Sequence, residues 1–222
     1  MKKFNMRKII SATLVLVGTF FWGCTTSVEE GSRVDKLPYY CSADFTPHWL
    51  SDDSDSLPNF HQIPAFALTN QFGHPITEKT VTGKIYVVDF FFTTCPGICP
   101  KMTTNMAVIS EAFKNDPDVL LLSHSVTPET DSVSVLNQYA EDKGINSPQW
   151  HLLTGNRKEI YDLGRQWYFV EEDLGYDRTQ SEFLHTENFI LVDQNRHIRG
   201  IYNGLNQTAV DQLILDIDLL HN

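Results

Sequence analysis

Cys95 and Cys99 are the residues of this sequence best placed to do chemistry. They stand in Thr93-Thr94-Cys95-Pro96-Gly97-Ile98-Cys99-Pro100, between an apolar run and a stretch of helical periodicity. The residue before a proline avoids the α region, and proline suits the first turn of a helix. Pro100 therefore sets Cys99 near a helix N-terminus, where unpaired backbone N–H groups favour a thiolate. The expectation is that both sulfurs lie close together and are partly ionised near neutral pH. Such a pair can close a disulfide or grip a soft metal. The spacing alone leaves three readings open: a redox disulfide, a copper site and an inert structural bridge. Structural zinc usually wants two such pairs, and only one is present. Copper(I) is content with two thiolates and an imidazole.

A third ligand would have to come from the eight histidines. His185 lies in Glu182-Phe183-Leu184-His185-Thr186-Glu187-Asn188, a loop before an expected strand. His124 ends another strand and is the reserve candidate. Met102 and Met106 could offer thioethers, but their helical spacing with Ile109 and Phe113 reads as core packing.

The elements that must position these residues read as follows. Ile63–Thr69 and Ile76-Thr77 form a hairpin around Gln71-Phe72-Gly73-His74-Pro75. Ile85–Phe92 is a continuous apolar run suited to a central strand covered on both faces. A helix follows Cys99, and Val119–Val126 is another buried strand. Asp131–Lys143 is a helix closed by Gly144. Trp150–Leu153 is a strand, and Asn156 caps a helix reaching about Trp167. Glu187–Val192 and His197–Tyr202 flank the turn Asp193-Gln194-Asn195-Arg196. Thr208–Leu220 is a closing amphipathic helix. Strand–helix alternation implies an α/β domain over residues 61–222 with a largely parallel sheet. The CxxxC at a strand-to-helix junction, with a final hairpin and helix, resembles the thioredoxin fold, a central mixed sheet flanked by helices, with an N-terminal β-hairpin extension.

The N-terminus reads as an address. Lys2, Lys3, Arg7 and Lys8 precede the apolar run Ile9–Trp22, which is shorter than the roughly 20 residues of a spanning helix. Gly23-Cys24 resembles a bacterial lipoprotein signal, although Trp22 is bulky for it. Residues 1–23 are expected to be a signal peptide, with Cys24 lipidated and facing the periplasm from a membrane. Losing them would leave 13 basic against 28 acidic residues, a formal charge of −15. That balance excludes nucleic acid as a partner. Residues 24–60 read as a lipid-anchored tether rich in acids and prolines, with Tyr39, Tyr40, Phe45 and Trp49 suggesting that part of it packs on the domain. Ser51-Asp52-Asp53-Ser54-Asp55-Ser56 is a solvated loop. Cys41 has no partner nearby in sequence and reads as a buried or incidental thiol. Tyr168–Gln180, with Glu171, Glu172, Asp173 and Asp177, reads as a solvated loop.

The run from Asp89 to Met102 resembles the signature of the Sco (SenC/PrrC) family, membrane-tethered thioredoxin-like copper proteins that assist cytochrome c oxidase assembly. The resemblance extends over about residues 60–220 and includes Gly83-Lys84, Trp150-His151-Leu152-Leu153-Thr154-Gly155 and a histidine 86 positions after the second cysteine. It implies that Cys95, Cys99 and His185 bind copper, Cu(I) or Cu(II). It implies delivery to the copper domain of oxidase subunit II, with a thiol reductant or another copper carrier as further partners. Where the family often has Asp-Pro after its third core strand, this chain has Thr127-Pro128, with Asp131 following. A thiol-disulfide oxidoreductase that keeps a partner's copper-site cysteines reduced is the alternative; it needs the redox pair Cys95 and Cys99 but not His185. A peroxide-reducing enzyme fits poorly, because Val88 and Phe92 stand where a Pro-x-x-x-Thr-x-x-Cys element needs proline and threonine.

Overall fold

The computed structural model describes residues 32–51, 54–171 and 183–221. A seven-stranded sheet runs through them: β1 (Ala67–Asn70), β2 (Pro75–Thr77), β3 (Ile85–Phe91), β4 (Val119–Ser125), β5 (Trp150–Thr154), β6 (Asn188–Val192) and β7 (Ile198–Asn203). Its helices are α1 (Glu78–Val81), α2 (Cys99–Ala112), α3 (Val133–Lys143), α4 (Arg157–Asp162) and α5 (Gln207–Leu220). The spatial order is β2-β1-β5-β4-β3-β6-β7.

The sheet is mixed and flanked by helices, as expected for a thioredoxin-like domain, although fewer of its pairs are parallel than strand–helix alternation alone suggests. Only β3, β4 and β5 pair in parallel, with β3 joined to β4 through α2 and β4 to β5 through α3. The β1–β2 and β6–β7 hairpins dock antiparallel on either flank. Pro75 falls on the edge strand β2, where its missing N–H costs no ladder bond.

β3 and β4 are buried along their whole length, as their apolar runs require. One face carries Ile85, Val87 and Phe91 of β3 against α2 and α5, with Cys99, Met102, Met106, Ile109 and Leu213 in the same cluster. The other face carries Tyr86, Val88 and Phe90 with Ile160, Leu163, Tyr168 and Leu184. Met102 and Met106 are thus core residues.

The helix boundaries follow local chemistry. The Ser132 and Asn156 side chains accept from the first-turn N–H groups of Val135 and Glu159. Gly144 closes α3 in the left-handed conformation at φ +68°. The helix expected to reach Trp167 does so in two forms, α4 and then a π-helical stretch, Leu163–Trp167.

Part of the segment before the sheet packs on it. Tyr39 is buried under the Arg199 guanidinium, 3.8 Å from the ring centre. Arg199 also donates to the carbonyls of Leu37 and Pro38. Tyr40 bridges to Ile198 and so covers part of the β7 edge. Trp49 remains 63% exposed, unlike the rest of the aromatic group. Cys24, Asp52 and Asp53 lie outside the described residues, as do Glu172, Asp173, Asp177 and the rest of 172–182. No helix among the described residues is long and apolar enough to cross a membrane.

Candidate metal centre

β3 ends at Phe91, and the chain turns through Phe92–Ile98 before α2 begins at Cys99. Asp131 holds this turn from the side. Its buried carboxylate accepts from the Thr93 N–H at 3.2 Å, Thr93 Oγ1 at 2.6 Å, Ser125 Oγ at 2.6 Å and Thr127 Oγ1 at 2.9 Å. Thr127 thus serves as a donor to Asp131.

Cys95 and Cys99 are both free thiols, Cys95 half-buried and Cys99 buried. Ile98 at the N-cap of α2 offers no side-chain oxygen. The Cys95 sulfur takes that place. Burial resists its ionisation, but hydrogen bonds from the Cys99 thiol and from the N–H groups of Cys99, Gly97 and Ile98 outweigh burial and lower its pKa. Cys99 behaves in the opposite way. Burial, its hydrogen bond to Cys95, and the nearby charges of Cys95 and Asp89 push its thiol up to about 12. The expectation that both sulfurs are partly ionised is thus corrected. The helix N–H groups converge on one sulfur, and burial falls on the other.

Beneath Cys99 lies an acid that the sequence reading passed over. Asp89 is the one charged residue of Ile85–Phe92, it is 3% exposed, and burial raises its pKa to about 7. A lone carboxyl inside an unbroken apolar strand was the available signal.

His185 is exposed, while its neighbours Leu184 and Thr186 are buried. Its loop meets the thiol loop through Phe92 and Phe183, whose rings pack edge to face with centres 5.1 Å apart. Among the described residues no three His, Cys, Asp or Glu side chains converge closely enough to hold a metal ion. The fold therefore brings Cys95 and Cys99 together and sets the His185 loop alongside, without closing the imidazole onto the sulfurs.

The reserve candidate His124 is elsewhere. It points to the opposite face of the sheet, stacked on Phe90 with ring centres 4.9 Å apart. Burial pushes its pKa down to about 4. Cys41 is remote as well. It follows the bridge to Ile198, level with the start of β3, and its Sγ lies 3.4 Å from His48 Nε2.

Tyr168–Glu171 is not a solvated loop. Phe169 turns the chain back at φ +52°, and all four residues are buried. Glu171 pairs with Arg165 at 2.7 Å and accepts from the His185 N–H at 3.3 Å.

The sheet, its flanking helices and a thiol pair at the strand-to-helix junction define a thioredoxin-like protein with a two-cysteine redox or metal motif. The SCO1/SenC family model matches residues 54–218, and the chain belongs to that family. A SCO1/SenC family lipoprotein from Bacillus anthracis is similar at 30% identity, with a TM-score of 0.64, covering 73% of this chain and 96% of that one. BsSco, in which a disulfide switch is identified, is a member of the Sco family of cytochrome c oxidase assembly proteins. It is similar at 29% identity and a TM-score of 0.60, over 72% of this chain and 93% of its own. ScoI of Arabidopsis thaliana, with copper bound, is similar at 26% identity and a TM-score of 0.54, over 70% and 97% of the two chains.

Proposed function

We propose that this chain binds one copper ion through Cys95, Cys99 and His185 and delivers it to the binuclear copper site of cytochrome c oxidase subunit II. The observation that carries this reading is the Phe92–Phe183 contact, which puts two soft thiols and an exposed imidazole on adjoining loops. The donor set suits a soft ion, and copper(I) accepts three such ligands. Cys95, with its lowered pKa, is the first donor. Cys99 must release its proton as metal binds, so binding weakens at low pH. Disulfide formation removes both sulfur donors and makes loading depend on thiol redox state. A rim this exposed admits an incoming thiol or imidazole before the old ligands leave.

The thiol asymmetry also favours a second reading, reduction of a partner's disulfide. The Cys95 thiolate would attack one partner sulfur and release the other as a thiolate. Cys99, once deprotonated, would then attack the Cys95 sulfur of the mixed disulfide and expel the partner sulfur bound to it, leaving a Cys95–Cys99 disulfide and a partner with both thiols reduced. The two readings separate on His185. Transfer of copper to the isolated copper domain of subunit II is expected to fail with His185→Ala, whereas reduction of that domain's disulfide is expected to survive.

A lipid on Cys24 would hold the domain at a membrane facing the periplasm. The similarity to a family lipoprotein supports this placement. Mass spectrometry of the membrane-extracted protein is expected to find a diacylglyceryl-modified Cys24 at the N-terminus; an unmodified Cys24 rejects it.

A further inference from the structure

Two unusual backbone features and one close packing contact follow α4, and all of them bear on the loop that carries His185. Leu163–Trp167 widens into a π-helical stretch, a rare form often found at functional sites. Within it, a Cβ on Gly164 would lie 2.5 Å from Leu184 Cδ1 and 3.1 Å from Phe90 Cε1. Glycine is what lets Leu184 seat there. Phe169 then adopts a left-handed conformation that bulky residues rarely take. This turn lays Val170 and Glu171 along the residues around His185. The Val170 carbonyl accepts from Asn188 Nδ2 at 3.5 Å, and Glu171 Oε1 accepts from the His185 N–H.

The Glu171 side chain is 5% exposed and that of Arg165 is 15% exposed. Taking an ion pair out of water is costly, so the Arg165–Glu171 pair is weak evidence of added stability, and what it does is hold a geometry. Here the fixed geometry is that of a stem. Leu184 and Thr186 are buried on either side, Glu171 holds the N–H between them, and the imidazole of His185 stands free at the exposed end.

We propose that Glu171, oriented by Arg165, is a positioning residue for His185. It never touches copper. It fixes the backbone from which the imidazole reaches the thiol pair, so that capture of the ion need not order that backbone. This inference rests on the reading of His185 as a copper ligand.

The test is anaerobic copper(I) competition against bicinchoninate on the reduced protein. The variants are Glu171→Ala, Glu171→Gln, His185→Ala and Glu171→Ala/His185→Ala. Supporting groups around metal ligands typically change affinity about 10- to 100-fold. Glu171→Ala is expected to weaken copper(I) about 10-fold, with Glu171→Gln intermediate because its amide oxygen still accepts from His185 N–H. Electron paramagnetic resonance of the copper(II)-saturated protein is expected to keep nitrogen coupling in Glu171→Ala and to lose it in His185→Ala. In the His185→Ala background the further substitution is expected to change nothing. Equal weakening in both backgrounds, or unchanged affinity with either Glu171 variant, overturns the proposal and leaves the ligand reading standing. Should Glu171→Ala fail to fold, the Glu171→Gln comparison in the two backgrounds decides alone. Undiminished copper affinity in His185→Ala overturns the ligand reading itself and the proposal with it.

Discussion

Cys95 and Cys99 lie against each other at the start of α2 with opposite acidities, the Cys95 thiol lowered and the buried Cys99 thiol raised. The sulfur at the rim ionises more readily, and burial holds the proton on the other. A metal ion or an incoming disulfide therefore meets the more acidic thiol first and the less acidic one second.

Alkylation should register this order. Iodoacetamide at neutral pH is expected to modify Cys95 about 10-fold or more faster than Cys99, as read by peptide mass spectrometry. Because the Cys95 pKa is lowered, its reactivity is expected to persist below the pH at which an ordinary thiol, near ~8.5, falls silent. Cys99→Ala removes a donor to the Cys95 sulfur and is expected to move that profile to higher pH. Equal rates at the two thiols would contradict the asymmetry.

Asp89 and His124 should shape stability against pH in opposite senses. Asp89 is raised from 3.8 to about 7, so its contribution is fully present below pH 3.8 and is lost as pH rises through 7. That loss is on the order of 4 kcal/mol. His124 is lowered from 6.5 to about 4, so its contribution is present above pH 6.5 and is lost as pH falls through 4, on the order of 3 kcal/mol. Between pH 4 and 6.5 the two slopes oppose, and urea denaturation is expected to give a nearly flat profile. Asp89→Asn removes one slope. Its stability is expected to rise with pH across that window and to exceed the wild type at pH 8. A variant no more stable at pH 8 than at pH 4 would contradict this.

Asp131 ties the thiol turn to the end of β4 by four accepted hydrogen bonds. Asp131→Ala leaves those donors without their acceptor and is expected to cost about 3 kcal/mol. It should also free the turn, seen as faster hydrogen exchange at the Thr93 amide. A loss of stability with no change in that exchange would show that the carboxylate does not hold the turn.

Gly164→Ala places a methyl group against Leu184 and Phe90. Overpacking of this kind typically costs about 1–3 kcal/mol. The strain should appear at Leu184 and His185, as amide chemical-shift changes larger than those in α5. Changes spread evenly over the domain would contradict a local clash.

Much of this architecture was legible because local chemistry decides it. Pro100 fixed the start of α2, Gly144 the end of α3 and Asn156 the start of α4. The apolar runs of β3 and β4 could lie only in the middle of the sheet. Strand direction was less legible, since β6 pairs with β3 across about a hundred residues and no local signal sets that partner. The thiol acidities were misread because the spacing shows a helix N-terminus but not which sulfur its N–H groups face. Glu171 was unreadable for a related reason. In a run with Glu172, Asp173 and Asp177 it looks like solvated charge, and only the turn at Phe169 brings it onto Arg165 and His185. His185 itself was located by resemblance of motif and spacing, since a loop histidine carries little signal alone.

The most direct test of the central claim is copper stoichiometry on the reduced protein, measured beside Cys95→Ser and His185→Ala. One tightly bound copper per chain, lost in Cys95→Ser and greatly weakened in His185→Ala, is the predicted result. No copper on the reduced wild type, or undiminished binding in His185→Ala, would contradict it.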